Sequence, residues 1–120
     1  MDRKSQPKSL EDTGYDGNVV RVGNRKAKKE LRHLPSWNLV GDSIVKEFKF
    51  RNYLDGLRFA NFLGRIAEKK NHHPDILIRW KRVMVTLSTH DIEGLSEKDF
   101  IMAAEAEKAY KKVRNDELHR

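Results

Sequence analysis

Residues 53–88 read YLDGLRFANFLGRIAEKKNHHPDILIRWKRVMVTLS, and the hydrophobic period changes inside them. Phe59, Phe62, Leu63 and Ile66 fall at i, i+3, i+4 and i+7, the spacing of one helical face. Asn52 and Asp55 stand ahead of that stripe as an N-terminal cap, so a core helix is predicted over Tyr53 to Lys70. After Pro74 the period drops to two. Ile76, Ile78 and Trp80 share one side, and then Val83, Val85 and Leu87 alternate with Met84, Thr86 and Ser88. A hairpin is expected there, although Lys81 and Arg82 are poor turn residues.

Working outward, Trp37 to Leu39 and Ile44 to Phe50 read as two further strands about a turn at Gly41 and Asp42, with Phe48 and Phe50 alternating against Glu47 and Lys49. Asn24 to Leu34 permits a short helix using Ala27, Leu31 and Leu34, stopped by Pro35. On the other side, Ser96 followed three positions later by Asp99 has capping-box spacing. Phe100, Ala103, Ala106, Tyr110 and Val113 then form the stripe of a last helix of about five turns, fraying toward Arg120. The predicted order is α-β-β-α-β-β-α. Each stripe finds a single partner surface if an α+β fold forms, a four-stranded antiparallel sheet with helices packed on one face.

Bulk composition limits what this fold can do. A chain of 120 residues is one domain and buries roughly two thirds of the surface its unfolded form exposes. Residues 1–23 are poor in apolar side chains through Asn18 and are expected to be a flexible tail, leaving 24–120 as the folded unit. With no cysteine, disulfides, thiolate nucleophiles and cysteine-held metals are excluded. No apolar run reaches the roughly 18 residues of a membrane span, and the acidic residues among the first 16 do not suit a targeting peptide, so a soluble cytoplasmic protein is the expectation.

The net charge of +7 raises the question of nucleic acid. Arg21, Arg25, Lys26, Lys28, Lys29 and Arg32 stand against the lone acid Glu30 in residues 21–32, a local balance of +5. Such a run is more often a solvated helix face than a nucleic-acid or acidic-partner site, and it could equally draw in an anionic ligand.

His72, His73 and His90 follow the core helix or the last strand, where the fold can bring them to one end of the sheet. Imidazole titrates near neutrality and can both give and take a proton. The cluster is therefore either a polar turn or a proton-transfer site. Glu68 precedes His72 by four residues, so on a continuing helix it would share a face with that ring and orient it. Asp99 has a structural explanation already, as the capping-box acid. Three histidines can also hold zinc, but adjacent His72 and His73 point in different directions and no supporting His/Glu helix motif exists, so no metal is expected.

The spaced set Glu68, His72-His73-Pro74, Trp80, His90 and Asp99 resembles, without a gap, the signature of the pterin-4a-carbinolamine dehydratase family. Leu87-Ser88-Thr89-His90-Asp91 and Gly94-Leu95-Ser96 are similar to it too, and the likeness covers about residues 35–113. It implies dehydration of 4a-hydroxytetrahydrobiopterin to the quinonoid dihydropterin in tetrahydrobiopterin recycling. His72, His73 and His90 would line the pterin pocket as catalytic groups. Glu68 would lie close by, and Pro74, Thr89 and Asp91 would hold the ring, with Trp80 and Asp99 supporting.

No metal or organic cofactor is implied, because the leaving hydroxyl and the electron pair that expels it sit in one molecule. A homodimer or homotetramer is implied, and some members also serve as dimerisation partners of a transcription factor. A protein-interaction role, with nuclear as well as cytoplasmic location, is thus the alternative. Many members carry Trp two residues after the Pro, where this chain has Ile76, which bears on the apolar wall of the pocket.

Overall fold

The computed structural model describes residues 19–118, so the expected tail through residue 18 and the fraying at 119–120 lie outside the described residues. The elements are α1 (Asn24–Leu31), β1 (Asn38–Val40), β2 (Ser43–Lys49), α2 (Tyr53–Lys70), β3 (Asp75–Ile78), β4 (Arg82–Leu87), a 3-10 turn (His90–Ile92) and α3 (Glu97–Leu118). The strands form one antiparallel sheet in the order β1-β2-β4-β3, which is the predicted α+β arrangement. No described helix is long and apolar enough to cross a membrane.

Alternation places the core. Val83, Val85 and Leu87 of β4 are buried, and their partners across β2 are Phe48, Lys46 and Ile44. This row faces the stripes of α2 (Phe59, Leu63, Ala67) and α3 (Phe100, Ala103, Ala106, Val113), all of them buried. Phe59 packs its ring 4.7 Å from Phe48 and 5.3 Å from Phe50, and Tyr110 lies 5.0 Å from Phe48 while donating its hydroxyl to the Lys49 carbonyl. Lys46 is the exception on this face. Its ammonium is tied to Glu107 at 2.7 Å, and Glu107 also accepts the Trp37 indole N–H at 2.8 Å, so the intruding charge is hydrogen-bonded.

Two expectations shift. The first helix ends at Leu31, and 3-10-type bonds from Arg32, His33 and Leu34 to the carbonyls three residues back carry the chain to Pro35. Proline disfavours the helical conformation in the residue before it, which is why Leu34 is buried but not helical. Trp80 does not continue the Ile76 and Ile78 side. It stands at the β3–β4 hairpin tip, 72% exposed, with the Lys81 ammonium over its ring at 4.4 Å. Within residues 1–23, Val22 donates its N–H to the Leu95 carbonyl at 2.7 Å and packs against the core.

Candidate functional site

Helix α2 ends in a way that aims two histidines. Asn71 adopts the left-handed conformation (φ 51°), its N–H bonding back to the Glu68 carbonyl and that of His72 to Ala67. This is the 6→1 and 5→2 pairing of a Schellman turn, and it swings the chain off the helix axis into β3. Asparagine tolerates the left-handed region because its short polar side chain hydrogen-bonds locally; a β-branched residue there costs about 1–2 kcal/mol. Asn71→Gly is accordingly expected to keep wild-type stability. Asn71→Val should lose about 1–2 kcal/mol in urea denaturation and reduce any activity that depends on the histidine pair.

Because the helix stops at Lys70, Glu68 and His72 do not share a face. The expected Glu68–His72 pair is replaced by two others. Glu68 hydrogen-bonds His73 Nε2, with both side chains largely exposed. His72 Nε2 lies 2.6 Å from Oδ1 of Asp99, a fully buried side chain on the first turn of α3.

Asp99 is the hub of a closed hydrogen-bond set. Its Oδ2 accepts the Ser96 backbone N–H at 2.9 Å and the Thr89 hydroxyl at 2.8 Å. Thr89 has one proton and spends it on Asp99, so the 2.7 Å contact between Thr89 and Ser96 hydroxyls runs from Ser96 to Thr89. Ser96 Oγ in turn accepts from the Lys98 N–H at 3.3 Å. With Oδ2 occupied by two donors, Oδ1 receives the His72 Nε2–H. That fixes the neutral ring as the Nε2–H tautomer and leaves Nδ1 as its basic nitrogen. The acid predicted as a capping residue therefore caps α3 and orients an imidazole at once.

His72, His73 and His90 line one cavity of about 310 Å³, together with Asn71, Ser88, Thr89, Asp91 and Lys98. Two backbone bonds between Thr89 and Gly94 close the loop that carries His90, setting it across from the end of α2. Of the remaining candidates, Pro74 is not among the lining residues, and Ile76 packs half-buried against the core. Trp80 is at the opposite end of β4, roughly 20 Å away along a six-residue strand, so it does not join the histidines. Ser88 belongs to the family-like segment without a role of its own, and Asn71 and Lys98 are not singled out by the sequence. The left-handed cap at Asn71 was the one signal available, an asparagine directly after a helix. Among the described residues no group of three or more His, Asp or Glu is arranged to hold a metal ion.

The pterin 4 alpha carbinolamine dehydratase family model matches residues 21–109. A Rubrobacter xylanophilus chain is 39% identical over 93 residues, spanning 77% of this chain and 87% of that one. Another, from Halorhodospira halophila, is 42% identical over 93 residues, spanning 76% and 85%. Both are named provisionally as pterin-4-alpha-carbinolamine dehydratases. The crystal structure of a transcriptional coactivator/pterin dehydratase from Brucella melitensis superposes with a TM-score of 0.74 at 31% identity, over 76% of this chain and 99% of that one. A pterin dehydratase-like protein identified as a RuBisCO assembly factor of the alpha-carboxysome shares the fold at 21% identity and a TM-score of 0.52, covering 62% of this chain and 86% of that one. Sequence match and superposed fold agree that this chain belongs to the pterin-4a-carbinolamine dehydratase family.

Proposed function

We propose that the chain dehydrates a 4a-hydroxytetrahydropterin to the quinonoid dihydropterin and water, with tetrahydrobiopterin recycling as the setting. The carrying observation is the His72–Asp99 pair set in a cavity shared with His73 and His90. In the substrate a hydroxyl on carbon 4a neighbours a ring N–H. Elimination breaks the C4a–O bond, forms C=N from the nitrogen's electrons, gives one proton to the departing oxygen and removes one from nitrogen. His72 Nδ1, its ring held by Asp99, takes the nitrogen proton, and Asp99 stabilises the imidazolium that results. His90, across the cavity, delivers the proton to the hydroxyl. General acid/base catalysis of this kind contributes about 10²–10⁴-fold, which suits a reaction that also proceeds unaided.

His73 lies beside His72 in the same lining and is steadied by Glu68, so the pair suits holding the ring more than moving a proton. A hydrogen-bonded pair this exposed is worth no more than about 1 kcal/mol, equivalent to about a fivefold change in rate at most. Glu68→Ala is therefore expected to lower turnover by no more than about fivefold in a steady-state assay.

The test of the function is stopped-flow decay of a 4a-hydroxytetrahydropterin with and without the protein. Faster decay in proportion to protein concentration supports the dehydratase reading, and a decay rate indifferent to the protein removes it.

A further inference from the structure

The basic run at residues 21–32 has no part in the chemistry above, yet its first residues reach the same region of the fold. A second cavity, of about 470 Å³, is walled by residues 19–23 and by the start of α3. Among the described residues, Arg21, Lys26 and Lys98 contribute three cations to its lining and Glu97 one acid. Lys98 also lines the histidine cavity, so this residue borders both spaces.

The wall is anchored to the same loop as His90. The Val22–Leu95 backbone bond fixes the strand of chain beside α3. The Arg21 side chain runs across Gly94, so closely that a Cβ built on that glycine would lie 2.7 Å from Arg21 Nε. Gly94 in turn pairs with Thr89, next to His90. Among the described residues Arg21 has one acidic neighbour, Asp42, at 3.9 Å with both side chains mostly exposed, a pair worth little to stability that an incoming anion can compete with.

We propose that the cavity walled by Arg21, Lys26 and Lys98 is an anion subsite, receiving a phosphate- or carboxylate-bearing side chain of a pterin whose ring occupies the histidine cavity. The inference rests on the pterin reading of the first cavity and extends the substrate class beyond neutral biopterin to pterins with an anionic side chain. Clustered cations in a concave site raise the local concentration of an anionic ligand and lose that effect as salt screens them. A neutral pterin would leave the second cavity filled with water.

Three fluorescent probes, 6-hydroxymethylpterin, its phosphate ester and pterin-6-carboxylate, titrated against the full chain at low ionic strength, test this directly. Binding of the phosphate ester or the carboxylate about tenfold tighter than the neutral alcohol is expected, and the stronger of the two identifies the anion. The preference should shrink toward parity in about 0.5 M salt. It should also fall about fivefold or more in the double variant Arg21→Ser with Lys26→Ser, checked for an unchanged melting temperature. Equal binding of all three probes overturns the subsite and leaves the dehydratase reading standing. Binding of none overturns the pterin reading and the subsite with it. A preference that persists unchanged in the double variant also overturns this assignment, because it would place the anion elsewhere.

Discussion

Replacing His72 by Gln should lower dehydratase turnover about 10²–10⁴-fold while the protein keeps its fold. Gln carries an amide N–H₂ that can take over the hydrogen bond to Asp99 Oδ1, so the buried carboxylate retains all three of its donors. What it lacks is a nitrogen that accepts and returns a proton. His72→Ala is the less informative change, since it leaves Oδ1 of a fully buried residue without a donor, and any lost activity would be mixed with about 1–3 kcal/mol of lost stability. The measurement is single-turnover dehydration beside thermal unfolding. Turnover within about threefold of wild type would show that His72 moves no proton in the rate-determining step.

The second large effect is expected at Asp99, where two substitutions separate two duties. Asp99→Ala strips acceptors from the Ser96 N–H, the Thr89 hydroxyl and the His72 ring at once. Orphaning several buried donors costs about 3–5 kcal/mol, a large part of the roughly 5–15 kcal/mol that holds a domain of this size together. The melting temperature should fall by roughly 15–30 °C. Asp99→Asn behaves differently. Its carboxamide oxygen must stay with Ser96 and Thr89, which both donate, so its N–H₂ faces His72 Nε2. That nitrogen is then obliged to accept, and the ring proton moves to Nδ1, presenting the cavity with a donor where a base is needed. Stability should drop by only about 1 kcal/mol, as a charge-assisted bond becomes a neutral one. Turnover should drop about 10²–10⁴-fold, and nitrogen NMR of the His72 ring should report the exchanged tautomer. An Asp99→Asn protein with native turnover would reduce Asp99 to a helix cap.

How far the fold could be read from the residues depended on how local each signal was. Helix α2 spans Tyr53–Lys70 as its stripe and cap indicated, because Asn52 accepts the Asp55 N–H within four residues of chain. The order of elements and the sheet followed from period alone. Trp80 was misplaced because alternation says nothing about where a strand stops, and the chain turns after Ile78. The histidine cluster was legible from spacing, but its internal wiring was not. Glu68 and His72 are four apart in sequence, and only the left-handed Asn71 takes the ring out of reach. His72 and Asp99 are 27 apart, and only the packing of α3 against α2 brings them together. The role of Asp99 beyond capping, and the presence of Lys98 in the cavity, belong to that tertiary level.

One carboxylate that both caps a helix and seats the imidazole proposed as the base ties endurance to rate on that reading. A search for heat-tolerant derivatives will find most of the chain open to exchange, yet position 99 should come back unaltered among survivors that still turn over substrate. Hardening the scaffold has to proceed from elsewhere, for instance from the far hairpin that carries Trp80, where nothing in the reaction would notice.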